Sequence, residues 1–175
     1  VLFIGDIVGS PGRAAIKKLV APLQQELQID FVIANAENAS GGSGITSKVA
    51  VELFASGVDV LTSGDHIWKK PEIFELINQE ERILRPLNFP SGAPGRGASV
   101  FIAKNGAKVG VININGRVFM EALECPFKAA LRAAEELAAE TKIIIVDIHA
   151  EATSEKIALG WYLDGKVSAI FGTHT

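Results

Sequence analysis

The sequence has a single cysteine among 175 residues, Cys125, so it can form neither an intrachain disulfide nor a cluster of thiolate metal ligands. That scarcity points to a reducing, cytoplasmic compartment. No apolar run reaches the ~18 residues of a membrane span, and Val1-Leu2-Phe3-Ile4 is too short, and lacks the basic leader, for a signal-peptide core. A membrane partner is therefore not expected. Basic residues are not in excess: 17 Lys and Arg stand against 20 Asp and Glu, a formal net charge of -3, which argues against duplex DNA. A nucleotide substrate stays open, because bound cations can supply the positive charge that a phosphate ester needs. Internal repeats, low-complexity tracts and linkers are also missing, so residues 1–175 are expected to form a single domain.

What is present is an alternation of apolar runs, polar or Gly-rich turns, and helical periods. Residues 1–4 read as a strand and 5–12 as a loop, with Pro11 suited to a first helical turn. Ala15, Ile16, Leu19, Val20, Leu23 and Leu27 then share one helix face. Residues 31–34 and 58–61 read as further strands, separated by a Gly-rich loop over 38–44 and a helix over 48–55 capped by Thr46 or Ser47. Beyond a Pro- and Gly-rich loop over 88–97, the runs 99–103 and 108–114 around Asn105-Gly106 predict an antiparallel hairpin with a tight primed turn. A helix through Phe127, Ala130, Leu131, Ala134, Leu137 and Ala138, a strand over 143–148, a helix over 154–163 and a strand over 167–171 complete the pattern. The fold class is α/β with mixed sheets, two of them packed face to face between helices. The sequence stops just after a strand-end histidine with no closing helix, so a C-terminal truncation is expected.

Five strand ends deliver Asp6, Glu37 with Asn38, Asp65 with His66, His149, and His174. The carboxyl ends of strands are where open α/β sheets bind ligands, and oxygen and imidazole donors converging from several strands suit a divalent first-row metal. Each residue has a plainer explanation. Asp6 can cap the following helix, and His66 and His149 can be packing residues. Glu37, after the apolar run 31–36, needs a partner or a metal, since a buried carboxylate is costly. All three histidines lie just past such runs, which packing alone does not explain. The glycine loops match neither G-x-G-x-x-G nor a P-loop, and serve better as tight turns beside a metal or phosphate. Arg96 and Arg117 are either substrate contacts or solvated cations; Trp68 packs beneath the site; Lys69 and Lys70 form a solvated helix entry; Cys125 has no activating neighbour.

Taken in order, Gly5-Asp6-Ile7-Val8-Gly9, Ala36-Glu37-Asn38, Gly64-Asp65-His66, His149 and Gly172-Thr173-His174 resemble the motifs of the calcineurin-like metallophosphoesterase superfamily. GDIVGSPGR, ANAENASGGSGIT, SGDHIW and FGTHT resemble in particular its YmdB-type branch of cyclic-nucleotide phosphodiesterases. The resemblance implies a four-layer αββα sandwich holding two metal ions, iron or manganese, with magnesium or zinc as alternatives. It implies that Asp6 binds the first metal with Asn38 as a further contact, that Glu37 bridges, and that Asp65, His149 and His174 complete the second. His66 would stand beside the scissile phosphate as acid or transition-state stabiliser. The implied activity is hydrolysis of phosphodiesters, 2′,3′-cyclic nucleotides or cyclic AMP, by a hydroxide held between cations about 3.5–4 Å apart. The implied partner is a small phosphodiester or nucleotide, with RNA ends and a homo-oligomer left open. A metal-dependent hydrolase of another ester, and a non-catalytic nucleotide-binding regulatory domain that does not need His66, remain the alternatives.

Three departures from the pattern stand out. Val8 occupies the place of a histidine common in the wider superfamily, as in the YmdB-type branch. Asp65 replaces the usual asparagine, an added charge that should hold a cation more tightly but weaken its pull on bound water. The last motif normally continues Gly-x-His-Thr-His, whereas this sequence ends at Thr175, so weaker binding of the first metal is expected.

Overall fold

Seven strands and five helices alternate along the computed structural model, which describes residues 1–175. Strands β1 (Leu2–Ile4), β2 (Val32–Asn35) and β3 (Val60–Thr62) form one parallel sheet in sequence order. Strands β4 (Ala98–Ile102), β5 (Lys108–Asn115), β6 (Ile144–Ala150) and β7 (Ala169–His174) form a second, in which β4 runs antiparallel to β5 and the others are parallel. Helix α1 (Gly9–Glu26) crosses from β1 to β2 and α2 (Ser47–Ala55) from β2 to β3. Helix α3 (Ile73–Gln79) follows β3, while α4 (Pro126–Leu137) and α5 (Thr153–Tyr162) connect β5, β6 and β7. No helix is long and apolar enough to cross a membrane.

Successive side chains of a strand point to opposite faces, and this period of two sorts the apolar residues into three clusters. Val32, Ala34 and Leu61 pack with Ile16, Val20 and Leu53 of the first helices. Ile112, Ile114, Ile144, Val146 and Ile148 pack with the alanines of α4 and with Leu159 of α5. The intervening positions, Phe31, Ile33, Val60, Val109, Val111 and Ile145, meet between the sheets. Phe3 of β1 and Phe171 of β7 stack across that seam with centroids 4.4 Å apart. The result is the expected four-layer αββα sandwich of the α/β class, with only the second sheet mixed and the first wholly parallel.

Local chemistry accounts for the boundaries. Thr46 caps α2, its Oγ1 accepting from the Val49 N–H at 3.3 Å. Helix α1 starts at Gly9, whose φ is +55°, so the second half of the loop expected over 5–12 is helical, with Pro11 in the first turn as anticipated. Between β4 and β5, Gly106 N–H bonds to the Ala103 carbonyl, and of the turn residues only Gly106 has positive φ, +83°. A primed two-residue turn needs positive φ at Asn105 as well, so the connection is instead an ordinary turn followed by a left-handed glycine. Helix α3 follows the helix entry expected at Lys69 and Lys70, but its extent had no signal, since its seven residues bury only Ile73 and Ile77, too few to display a period. The loop over 88–97 wraps the buried Arg85 guanidinium, which donates to the carbonyls of Pro86, Leu87, Ala93 and Pro94.

Ile33 is fully buried in the seam. Ile33→Ala is expected to lower the free energy of unfolding by about 2–5 kcal/mol, while Val8→Ala, at an exposed position, stays within about 0.5 kcal/mol. Urea denaturation monitored by circular dichroism measures both.

Candidate metal centre

Toward the carboxyl ends of the strands the seam changes character. The inward series of β2 runs Phe31, Ile33, Asn35; that of β3, Val60, Thr62; that of β5, Val109, Val111, Asn113, Asn115; that of β6, Ile145, Asp147, His149. Polar atoms therefore meet polar atoms at one end of an otherwise apolar interface. The Asn113 amide joins both backbone groups of Ser63, accepting from its N–H at 2.9 Å and donating to its carbonyl at 3.0 Å. Asp147 accepts from Thr62 Oγ1 at 2.6 Å, Asn35 Nδ2 at 2.9 Å and Thr173 Oγ1 at 2.7 Å. Burial pushes the Asp147 carboxyl above its ordinary range, while these three bonds oppose the shift.

Just beyond this network, Glu37, Asp65, His149 and His174 each offer a ligand atom within 4.8 Å of all the others. His149 Nε2 lies 3.2 Å from Glu37 Oε1, 3.4 Å from Asp65 Oδ1 and 3.1 Å from His174 Nδ1. Gly64 makes this closeness feasible, for a Cβ there would overlap both His149 Cδ2 and Glu37 Oε2. Asp6 borders the group: its Oδ1 is 3.8 Å from His149 Nδ1, and its Oδ2 accepts from the His174 N–H at 2.8 Å. His174 has φ +82°, an uncommon conformation for a side-chain-bearing residue, and this bond helps hold it.

Charge is concentrated here. Hydrogen bonding to His149 holds the Asp65 carboxyl at about 2, below its ordinary 3.8. Burial raises the Glu37 pKa, but the hydrogen bond and charge of His149 more than offset it, leaving a net lowering. For His149 burial disfavours the cation, yet its bonds to Asp65 and Glu37 outweigh that and raise its pKa to about 9. Asp6 Oδ1 is buried with no hydrogen-bond partner, as is Asn115 Oδ1, on the strand residue paired with His149, while buried Asp65 Oδ1 is approached by His149 Nε2 at 3.4 Å. Unpartnered buried carboxylate oxygens are costly unless a cation meets them. This donor set of carboxylates and imidazoles without thiolate fits a divalent metal ion.

The structure brings Glu37, Asp65, His149 and His174 into one group and sets Asp6 at its border. Asn38 and His66 form an adjoining pair, with His66 Nδ1 2.8 Å from Asn38 Oδ1, while Asn38 Nδ2 donates to Glu37 Oε1 at 2.9 Å. The His66 ring is partly open to solvent and its Nε2 lies 3.8 Å from Asp65 Oδ2. His149 and His174 lie within β6 and β7 rather than just past them, because both strands extend further than their apolar runs. Trp68 packs as expected, stacked on Phe74 at 5.0 Å and edge-on to Phe89. Arg96 pairs with Glu81 at 2.8 Å, and Arg117 donates to the Leu123 carbonyl and lines a pocket of ≈ 700 Å³ with Phe127 and Glu155. That pocket, the largest, contains none of the clustered residues; the clustered carboxylates mark the chemistry better than the concavity does.

Sequence reasoning missed Asp147, Thr173 and Glu151. Asp147 interrupts an apolar run two residues before His149, and period-two spacing could have flagged it. Glu151 Oε2 lies 2.9 Å from His174 Nε2, a pairing that no local pattern announces.

The fold and donor set define a two-sheet α/β sandwich with a metal-binding type of cluster where its strands end. The chain belongs to the YmdB-like protein family, whose sequence model matches residues 2–175, and this family is of the metallophosphoesterase type. A Bacillus subtilis (strain 168) protein named 2′,3′-cyclic-nucleotide 2′-phosphodiesterase is 48% identical over 175 residues, covering 100% of this chain and 66% of that protein. A crystal structure of a hypothetical protein from Thermus thermophilus superposes with a TM-score of 0.92 at 40% identity, covering 99% of this chain and 66% of the other. A Mycoplasma pneumoniae protein described as a novel phosphatase gives 0.89 at 37% identity, with 99% and 63% covered. The chain thus spans slightly less than two thirds of these relatives.

Folding raises the His149 pKa from 6.5 to about 9, so the stability it confers on metal-free protein is complete below pH 6.5 and lost as pH rises through 9. Urea unfolding across that window is expected to show the decline, and His149→Gln to flatten it. Gly64→Ala should displace His149 and abolish manganese binding measured by calorimetry.

Proposed function

We propose that the full-length protein is a metal-dependent phosphodiesterase that hydrolyses cyclic nucleotides, 2′,3′-cyclic nucleoside monophosphates foremost. The observation that carries this reading is the convergence of two carboxylates and two imidazoles from distant strand ends within 4.8 Å, with the unpartnered Asp6 oxygen at their border. The name of the Bacillus relative supports the choice of substrate. Residues 1–175 act as one domain in this proposal, with Asp6, Asn38, Glu37, Asp65, His149 and His174 holding two ions, iron or manganese. Bound there, such ions supply charge that clamps a phosphate and lower the pKa of water toward ~7.

The chain's own groups do the rest. Glu37, fully buried and central, contributes oxygens toward both sides of the cluster. Asn38 Oδ1 accepts from His66 Nδ1–H, which fixes the ring and leaves Nε2 directed past Asp65. Protonated His66 can then donate from Nε2 to the departing alkoxide, a poor leaving group without such help.

His66→Ala in the full-length manganese-loaded protein is expected to lower turnover of 2′,3′-cyclic nucleotides and bis(p-nitrophenyl) phosphate by about 10²–10⁴-fold, with metal content and nucleotide binding retained. Undiminished turnover removes His66 from the mechanism. A wild-type protein that takes up metal and binds nucleotide yet cleaves no phosphodiester is instead a regulatory module, and the proposal fails.

A further inference from the structure

We infer that buried Asp147, acting through Thr173, is a positioning residue that sets the tautomer and orientation of His149 so that its Nε2 faces the ligand cluster. The inference deepens the metal-centre reading and rests on it for its purpose, though not for its geometry.

The argument is an inventory of hydrogens. A threonine hydroxyl offers one donor and two acceptor positions. Thr173 Oγ1 has three neighbours: Asp147 Oδ1 at 2.7 Å, His149 Nδ1 at 2.9 Å and Asn35 Nδ2 at 3.3 Å. The Asn35 amide has its orientation fixed by backbone groups, since Oδ1 accepts from the Glu37 N–H and Nδ2 donates to the Ser63 carbonyl. Nδ2 is therefore a donor toward Thr173. Asp147 Oδ2 takes Asn35 Nδ2, a fixed donor, and Thr62 Oγ1, and its Oδ1 is met by Thr173 Oγ1 alone, an arrangement that fills an ionised carboxylate when both hydroxyls donate to it. With Asp147 ionised, Thr173 gives it its single proton, and both its acceptor positions remain. Asn35 fills one; the other takes Nδ1–H of His149.

His149 carrying its proton on Nδ1 presents an unprotonated Nε2 to Glu37 and Asp65, 3.2 and 3.4 Å away. Without the relay, Nε2–H would be held equally well by these carboxylates and would occupy the ligand position. Every atom of the relay is buried: Asn35, Thr62, Asp147 and His149 are 0% exposed and Thr173 3%, so water cannot replace a lost partner. Groups that orient a metal-ligating histidine commonly contribute about 10–100-fold in metal affinity.

The test uses full-length protein with ¹⁵N-labelled histidine, stripped of metal, at alkaline pH where the imidazole is neutral. Wild-type His149, assigned by its disappearance in His149→Gln, is expected to show the Nδ1–H pattern in long-range ¹H–¹⁵N spectra. In Asp147→Asn the amide oxygen stays with the Asn35 and Thr62 donors, so its NH₂ faces Thr173 and reverses the hydroxyl; His149 is expected to switch to Nε2–H. Thr173→Val should weaken calorimetric manganese binding by about 10–100-fold, and Thr173→Ser should restore it. An unchanged His149 pattern in Asp147→Asn, or unchanged manganese affinity in Thr173→Val, overturns the inference. If Asp147→Asn does not fold, the valine and serine pair, read by both spectra and calorimetry, decides alone. Wild-type protein that shows Nδ1–H but binds no divalent cation refutes the metal-centre reading and leaves the relay standing.

Discussion

One buried carboxylate, that of Asp147, ties the two sheets together at the end where the site lies. It accepts bonds from Asn35 and Thr62 on one sheet and from Thr173 on the other. A charge so far from water is tolerated only when its lone pairs are filled, so the sheets must approach with β2 and β3 opposite β6 and β7 in this register. A slip of one residue would turn every inward side chain outward, parting Asp147 from its donors and exposing Phe31, Ile33 and Ile145.

The placement of the cluster follows from that constraint. The seam is apolar where Phe3 stacks on Phe171 and polar where the strands end, and the ligand-type residues stand three to five positions beyond the last inward apolar residue of their strand. Rigid sheet positions supply His149 and His174, while short turns supply Glu37 and Asp65, drawn in by the absence of a side chain at Gly64. The accumulated negative charge is only partly balanced by His149, which reaches Asp65 and Glu37 but leaves an Asp6 oxygen unpartnered. Excess charge and orphaned donors together are the physical signature of a place built for cations.

Much of this was legible beforehand. Strands over 1–4, 31–34 and 143–148 and the helix faces of α1 and α4 were visible because long apolar periods leave an unambiguous trace. The extent of helix α3 was not, since two buried isoleucines make no period, and the Asn105-Gly106 turn was misread because the same dipeptide suits a two-residue primed turn and a turn one residue longer that closes on a left-handed glycine. At the site, residues with a motif or a strand-end position were found. Asp147, Thr173 and Glu151 instead act on partners 85, 26 and 23 positions away, separations over which no local pattern extends.

Sequence alone settled the class of fold and the identity of the residues at the strand ends, because alternation and amphipathic period are local properties of the chain, while the αββα layering was implied by its resemblance to a family. Tertiary structure decided which of those residues meet, which ring nitrogen of His149 faces its neighbours, and which carboxylate oxygens go without a partner. Hydrogen bonds and Coulomb forces act over a few ångströms, and only the packing of one sheet against the other brings the groups that distance apart.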